Sequence, residues 1–439
     1  MGRFLFRWRS LLAWGAAAGL AALAWYLKHP LMLWLRAWET PILLFVGMAG
    51  GGAGLAKGRR SARLLGLVFL AIATATVYRE LEFAATRAEV HAAGPAMRAV
   101  GGHFIVGFRS ISEIESLAEK GLIGGLYVTR RNLQKTTPQR LAAEIASLQE
   151  RRLAAGLPLL IVAADQEGGE VSHLSPWLTA MPALATLADA GRTAAGRARD
   201  YGRDQGRELA ALGINLNFGP VADLRPTDGS FPGDRLTRIH RRAIAGDPVT
   251  VDRVARAYAA GLADQGVGAT FKHFPGLGRV RADTHFQPAV LRLPVASLEP
   301  DWLPYRALPP SAAVMVGHVT LAAEDPARAA SHSRKVIAGL LRERLGHNGL
   351  VITDDLDMGA VYGRGIGTVA GEALAAGADF VLVSYDPDQL FRALTGAAAA
   401  LQRGEIPPDA LADSRERIAA FFEALAQGRQ TAPGAAGIW

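Results

Sequence analysis

The chain has no cysteine among its 439 residues. This absence excludes disulfide bonds, thiolate metal sites, a cysteine nucleophile and a lipid-modified N-terminal cysteine. The sequence also has no HExxH motif and no tight cluster of carboxylates with metal-ligand spacing. We therefore expect no metal and no other cofactor.

A basic face interleaved with aromatic residues is missing as well. The net charge is +8, but several of the basic residues lie between apolar runs near the N-terminus. Such a distribution indicates membrane topology rather than contact with phosphates, and no nucleic-acid motif is present. We expect no nucleic-acid partner.

The first ninety residues carry three apolar runs, Leu11–Leu27, Pro41–Ala56 and Leu64–Tyr78. A spanning helix needs about 20 apolar residues, with a usable range of about 17–25. The first run meets this length, and the other two need flanking residues. We predict a membrane region over residues 1–90 with three transmembrane helices. The alternative is a single anchor or a signal peptide, although no small-residue cleavage site precedes Lys28.

The charges around these runs predict an orientation. Cytoplasmic loops are enriched in Lys and Arg. Basic residues precede the first run and fill the second connection, whereas the first connection is poorer in them. We therefore expect the N-terminus in the cytoplasm and everything after about residue 80 outside it. The N-terminal helices would anchor the protein in the lipid bilayer of a bacterial-type cytoplasmic membrane.

The remainder of the chain alternates short apolar runs with stretches of helical period. Apolar strands separated by helices are typical of a parallel sheet covered on both faces. Eight such units in about 330 residues predict a (β/α)₈ TIM-type barrel over residues 91–430, followed by a disordered tail over 431–439. A doubly wound open sheet is the alternative. The predicted strands are His103–Gly107, Gly125–Val128, Leu159–Ala164, Ile214–Phe218, Ala269–His273, Ala313–Gly317, Leu350–Thr353 and Phe380–Ser384.

Polar clusters follow several of these strands directly. In a TIM barrel the chemistry lies at the C-terminal ends of the strands. Asp165 and its neighbours follow strand three, Lys272 and His273 end strand five, His318 follows strand six, and Asp354 follows strand seven. Each cluster alone is also compatible with a helix cap or a turn. Three other histidines receive no role: His240 and His347 are expected on the surface and His332 in a turn.

Three segments carry a resemblance to a known family. They are Lys272–Gly278 followed by Asp283-Thr284-His285, then Leu350–Met358, and Asp165–Gly169. Together they resemble the β-N-acetylglucosaminidases of glycoside hydrolase family 3, and the similarity covers roughly residues 95–430. The resemblance implies a retaining glycosidase that removes terminal β-linked N-acetylhexosamine from cell-wall or chitin-type saccharides through a covalent glycosyl-enzyme.

The resemblance also implies roles for single residues. Asp354 would be the nucleophile, with Asp355 as its structural neighbour. His285, paired with Asp283, would give and take the proton. The residues expected to hold sugar hydroxyls are Asp165, Arg242, Lys272 and His273.

The mechanism requires an ionised nucleophile, and the sequence suggests that Lys272 favours the charged form of Asp354. Three positions depart from the family, and Thr284, in place of the commoner serine, is the smallest of these changes. Leu277 stands where a histidine is common, and Glu170 stands where the sugar-binding loop usually has arginine. Alternative functions are another β-glycosidase or a glycoside phosphorylase of the same family, or a catalytically silent membrane-bound saccharide-binding protein.

Overall fold

The computed structural model describes residues 2–57, 59–134, 136–175 and 177–431. The predicted disordered tail lies outside these residues, except for its first position. The chain forms two compact units, Met1–Ala92 and Ala93–Trp439.

The first unit is helical. Its helices are α1 (Gly2–Trp25), a short 3-10 helix (Pro30–Leu35), α2 (Glu39–Ala56) and α3 (Arg60–Ala92). By length and composition α2 and α3 are able to cross a membrane, with mean hydropathies of 1.2 and 1.6, and the apolar part of α1 within the residues searched, Leu11–Trp25, is shorter. The prediction of three spans thus has two candidates of sufficient length, and membrane insertion stays a prediction.

Glycines let α2 and α3 approach closely. A Cβ atom on Gly54 would lie 2.6 Å from the Cα of Gly66, and one on Gly47 would lie 2.9 Å from the Cβ of Ala73. Large side chains would separate the two backbones at these points. Apolar residues elsewhere on α2 point outward, and Phe45 is 75% exposed. The hairpin therefore packs through small residues and presents large apolar ones.

The second unit contains a closed barrel of eight parallel strands, each paired with its neighbours in chain order. This arrangement confirms the predicted TIM-type barrel and excludes the open sheet. All the strands were predicted to within three residues at each end. They are β1 (Phe104–Gly107), β2 (Gly125–Val128), β3 (Ile161–Ala164), β4 (Leu216–Asn217), β5 (Gly268–Phe274), β6 (Ala312–Val316), β7 (Val351–Asp355) and β8 (Phe380–Val383).

Helices surround the strands, and their starts follow ordinary capping chemistry. The side chain of Thr137 accepts a hydrogen bond from the N–H of Arg140, and Asp247 accepts one from Thr250. In both cases proline occupies the first helical position, where its missing N–H costs nothing. The helices of this unit are α4 (Pro95–Gly101), α5 (Ile111–Glu119), α6 (Arg130–Leu133), α7 (Pro138–Ala154), α8 (Ala194–Ala211), α9 (Ile239–Arg242), α10 (Pro248–Ala263), α11 (Gly359–Tyr362), α12 (Ile366–Ala376), α13 (Gln389–Gln402) and α14 (Pro408–Thr431).

Short irregular elements complete this unit. Lys335–Arg344 forms a π-helix. Four 3-10 helices cover Leu184–Leu187, Gly191–Thr193, Val295–Tyr305 and Ala330–His332. Two small ribbons pair Gln166–Gly168 with Val171–Ser172 and Ala289–Leu291 with Val319–Leu321.

The barrel interior is filled by apolar side chains, and its N-terminal mouth is closed by α14. Phe421 on α14 is fully buried and belongs to the same core as Ile105 and Leu216. A Cβ atom on Gly268, the first residue of β5, would lie 2.5 Å from the Phe421 ring. Because this mouth is filled, the C-terminal end of the strands is left for the polar site.

The expectation that His347 lies on the surface is wrong. Its side chain is fully buried. Its Nε2 lies 3.1 Å from the carbonyl oxygen of Leu350, directly before β7. The sequence shows only a polar stretch between a helix and a strand, which gives no sign of this packing.

Candidate active site

The residues predicted for the site lie at the C-terminal end of the barrel strands. Asp165 follows β3, Lys272 and His273 belong to β5, and Asp354 belongs to β7. The remaining predicted residues lie on connections above the strands: Arg242 ends α9, and Asp283 and His285 follow β5. Ion pairs and hydrogen bonds connect Asp165, Lys272 and Arg242 through Glu167, and Arg242 to the Asp283–His285 pair through Thr237. His273 is bound to Asp223 instead, and Asp354 interacts with neighbouring histidines through their charge.

The core of this network is a buried cluster of alternating charges. Lys272 Nζ forms ion pairs with Asp165 and with Glu167, the latter at 2.7 Å. Arg242 binds both oxygens of Glu167, at 3.0 and 2.6 Å. Burial disfavours the ionised form of Glu167, but Arg242 and Lys272 outweigh it and lower the pKa of that carboxyl. The four groups therefore stay charged inside the protein.

Asp165 is the more accessible carboxylate of this cluster, with 18% of its side chain exposed against 5% for Glu167. Tyr127 donates its hydroxyl to Asp165 at 2.5 Å. Burial raises the pKa of Asp165, and the charges of Lys272 and His173 lower it by more. An ionised, partly accessible carboxylate of this kind is suited to accepting sugar hydroxyls.

His273 is held by a carboxylate that the sequence did not single out. Asp223 Oδ2 lies 2.7 Å from His273 Nδ1 and accepts the backbone N–H of His273 at 3.1 Å. The other oxygen of Asp223 accepts the N–H of Leu277 at 2.6 Å. Asp223 fixes the ring so that Nδ1 carries the proton and Nε2 is left for another partner.

The departure at Leu277 has a structural explanation. Its side chain is only 3% exposed and packs into the interior. The polar contact of this loop with Asp223 is made by the backbone N–H, which any residue except proline supplies. A leucine here thus keeps the loop attached to the pocket without a polar side chain.

Asp354 lies among three histidines. Burial opposes its ionised form, but His273, His318 and His285 outweigh it and lower the pKa of Asp354. The sequence-based expectation gave this role to Lys272. The ammonium of Lys272 is bound to the carboxylates beside β3 instead. Neighbouring histidines, rather than Lys272, therefore favour the ionised form of Asp354 when they carry a proton.

Asp355 faces away from this position and ties β7 to the segment after β8. It accepts the Ser384 hydroxyl at 2.5 Å and the backbone N–H groups of Ser384 and Tyr385 at 3.1 and 2.9 Å. Burial raises the pKa of Asp355. Since its oxygens are occupied by local donors, Asp355 holds the backbone that presents Asp354.

His285 and Asp283 form a pair on the loop after β5. His285 Nδ1 lies 2.8 Å from Asp283 Oδ1. The imidazole is 35% exposed, whereas Asp283 is buried. Asp283 also accepts backbone N–H groups of Arg235 and Leu236 and the hydroxyl of Thr237. Burial raises the pKa of Asp283, and these hydrogen bonds and His285 lower it by more.

The segment containing Thr237 also contacts the loop after β3, which carries Glu167 and Glu170. Arg242 donates to the Thr237 carbonyl at 2.8 Å as well as binding Glu167. Outside this pair, Glu170 forms ion pairs with Arg241 at 2.6 Å and with Arg238 at 3.5 Å. The negative charge at Glu170, where the resemblance leads us to expect arginine, is therefore compensated by neighbouring arginines.

A family model described as the glycosyl hydrolase family 3 N terminal domain matches residues 96–421. The chain belongs to glycosyl hydrolase family 3. Curated members include a beta-hexosaminidase from Alkalilimnicola ehrlichii, 34% identical over 317 residues, which covers 70% of this chain and 85% of that protein. A beta-hexosaminidase from Chromobacterium violaceum is 33% identical over 324 residues, covering 72% of this chain and 85% of that protein.

Solved structures of the family have the same fold. A family 3 β-N-acetylglucosaminidase from Paenibacillus has a TM-score of 0.66 at 33% identity and covers 78% of this chain, which spans 64% of that protein's length. A β-N-acetylhexosaminidase from Beutenbergia cavernae has a TM-score of 0.65 at 28% identity, covering 76% of this chain and 99% of that one. This family 3 chain is a glycosidase.

Two residues that bind members of this site do not stand out in the sequence. Glu167 lies in a motif that gives it no binding role, and Asp223 lies in no motif. Asp223 follows β4 by six residues, so the rule that located the other residues also points to it. Among the described residues, no group of three or more His, Asp and Glu is arranged to hold a metal ion.

Proposed function

We propose that the protein removes terminal β-linked N-acetylhexosamine, with N-acetylglucosamine as the expected sugar, by a retaining mechanism. The observation that carries the proposal is the placement of a buried, ionised Asp354 within electrostatic range of a half-exposed His285 that is held by Asp283. A retaining enzyme needs one group that attacks the anomeric carbon and another that transfers protons. The matched relatives are named for hexosaminidase activity.

In the first step Asp354 bonds to the anomeric carbon while the bond to the leaving oxygen breaks. His285 donates a proton to that oxygen. Because Asp283 accepts from Nδ1, the proton given away is the one on Nε2. Asp283 also stabilises the positively charged imidazole, as in other His–Asp pairs.

In the second step water attacks the anomeric carbon and Asp354 leaves as a carboxylate. The neutral Nε2 of His285 takes the proton from water, so the ring returns to its starting state. The polar cluster of Asp165, Lys272 and Arg242, together with His273, would hold the sugar hydroxyls. Their charges are already paired, so the sugar meets oriented donors and acceptors.

The test is a panel of nitrophenyl glycosides measured with and without inorganic phosphate. We expect turnover of the N-acetyl-β-glucosaminide and no acceleration by phosphate. Asp354→Asn should abolish turnover at unchanged melting temperature, because an amide cannot form the glycosyl ester. Asp355→Asn should lower the melting temperature, since it disturbs three hydrogen bonds to the segment after β8. An active Asp354→Asn enzyme would rule out this nucleophile.

We also propose that the first unit anchors the enzyme in the cytoplasmic membrane, with the barrel outside the cytoplasm. The support is the length and apolar character of α2 and α3 and the basic residues at the N-terminus and between these helices. This location suits cell-wall or chitin-derived saccharides. A C-terminal alkaline phosphatase fusion should be active and a green fluorescent protein fusion dark, and the reverse result would place the barrel inside.

A further inference from the structure

A chain of buried polar side chains leads away from Asp354 behind the pocket. His318 Nε2 lies 2.8 Å from the carbonyl oxygen of Asp355, and His318 Nδ1 lies 2.7 Å from Ser331 Oγ. Ser331 Oγ in turn lies 3.3 Å from His332 Nδ1. The three side chains are at most 3% exposed. The mechanism described above uses none of them as a reacting group.

The peptide carbonyl sets the direction of every hydrogen bond in this chain. A carbonyl oxygen only accepts, so His318 Nε2 carries a proton. Burial lowers the pKa of His318, and burial lowers the pKa of His332 to about 4, so both rings are neutral at rest. His318 Nδ1 therefore accepts from the Ser331 hydroxyl, and Ser331 accepts from His332 Nδ1. His332 Nε2 then carries the lone pair, on the side of the ring that lies 3.9 Å from Glu372.

The far end of the chain reaches a groove on the outside of the barrel. His332 and Glu372 both line this groove, whose volume is about 680 Å³. Glu372 lies 3.9 Å from His332 Nε2 and is 21% exposed. It also accepts hydrogen bonds from Arg328 and Arg364. A proton from solvent in the groove thus has a carboxylate and an imidazole lone pair to receive it.

His318 and His332 have different charged neighbours. Asp354 and Asp355 favour a proton on His318, and His285 opposes one. At His332, Glu372 favours a proton, whereas His318, Arg364 and Arg328 oppose it. The arginines are constant charges, but the charge of Asp354 changes during the proposed reaction. It disappears when the glycosyl ester forms and returns when the ester breaks.

We propose that His318, Ser331 and His332 form a proton relay that places a positive charge beside Asp354 as the ester breaks. A proton from the groove binds His332 Nε2, the Nδ1 proton passes to Ser331 Oγ, and the hydroxyl proton passes to His318 Nδ1. One proton enters at His332 Nε2 and one arrives at His318 Nδ1. Reversal of the three transfers restores the resting state. The inference rests on the proposed role of Asp354.

The timing of this charge agrees with the chemistry. A neutral His318 leaves Asp354 less stabilised before attack, which favours bond formation. An imidazolium stabilises the departing carboxylate in the second step. During that step the sugar occupies the pocket, so a route from behind supplies the proton without passing the substrate.

The variant Ser331→Ala interrupts the relay and keeps nearly the same volume. A dinitrophenyl N-acetyl-β-glucosaminide has a good leaving group, so we expect the second step to limit its turnover. With this substrate kcat should fall by roughly tenfold or more, the lower range for proton-transfer catalysis. By contrast kcat/KM, which reports the first step, should change less than about twofold. Intact-protein mass spectrometry should then show the covalent intermediate accumulating.

The matched control is Ser333→Ala. Ser333 is also fully buried and two residues away, but its hydroxyl donates to Asp325 at 2.8 Å and takes no part in the relay. It should leave both parameters near those of the unchanged enzyme. His332→Gln, which keeps polar atoms but not proton exchange through a ring, should reproduce the kcat defect if Ser331→Ala does not fold.

Equal losses in kcat and kcat/KM, unchanged kcat, or the same defect in Ser333→Ala would overturn the relay. All measurements use the whole 439-residue chain. Failure of the relay differs from failure of the proposed function, because in the first case Asp354→Asn remains inactive and in the second it retains turnover.

Discussion

Replacing Asp283 by asparagine tests how firmly the proton-transfer loop depends on one carboxylate. Oδ2 accepts the N–H groups of Arg235 and Leu236 at 2.9 and 2.8 Å. Oδ1 accepts the N–H of His285 at 3.1 Å and faces its Nδ1 at 2.8 Å. An amide has one oxygen, so either orientation of its NH₂ group opposes at least two of these donors.

The magnitude follows from this count. Hydrogen bonds to a charged group contribute about 1.5–3 kcal/mol each, so losing two costs about 3–6 kcal/mol. The lost hydrogen bonds are those that order the loop after β5 and residues 235–237. His285 is therefore displaced, and its imidazole is also less easily protonated. We expect kcat/KM to fall by ~10²-fold or more, within the range of general acid–base catalysis.

Two measurements examine this prediction. Steady-state kinetics with aryl glycosides should show the loss, and hydrogen exchange should show faster exchange at the amides of Arg235 and Leu236. The control is Asp234→Asn, on the same segment, whose carboxylate accepts the N–H of Arg238 at 2.8 Å and does not bind His285. If Asp283→Asn kept normal kcat/KM and normal amide protection, the reasoning would be refuted.

Three further predictions concern other parts of the site. His285→Ala should impair glycosides with poor leaving groups far more than activated aryl glycosides, and azide should restore the second step; equal losses without rescue would place the proton donor elsewhere. Lys272→Met should lower the free energy of unfolding by about 3–5 kcal/mol in urea titrations, because Asp165 loses its ammonium partner and Glu167 keeps only Arg242, whereas Lys335→Met should change it by about 0.5 kcal/mol or less. Because the pKa of Asp354 is lowered, the carboxylate should stay ionised, and should keep stabilising the fold, as pH falls to about 4, the usual aspartate pKa. Its contribution to stability should be lost only below that pH. An acid limb of kcat/KM that is centred above pH 5 and persists in His285→Ala would contradict this assignment.

The barrel was predictable because its strands are short, continuous apolar runs. Such runs as Phe380–Val383 are buried on both faces, so the sequence shows no alternation and few competing interpretations. Asp165, Lys272 and Asp354 were located by a rule about strand ends rather than by contacts. Knowledge of the fold was therefore enough to place them at one end of the barrel.

The pairing of charges was not predictable in the same way. Lys272 was expected to act on Asp354, yet it binds Asp165 and Glu167, more than a hundred residues earlier in the chain. Which carboxylate an ammonium meets depends on side-chain direction at neighbouring strand ends, and the sequence gives no measure of that direction. His332 was assigned to a turn for the same reason, because its partners lie on other elements.

The glycine contacts between α2 and α3 bear on how the first unit is assembled. Helices in a bilayer associate largely through close packing of small residues. Here Gly54 and Gly66 contact each other within one chain. This small-residue surface is therefore buried between α2 and α3 and is not available to a second copy. The two helices would enter a membrane and combine as a hairpin without a second copy. A leucine at Gly54 would separate the two helices and prevent the hairpin from closing.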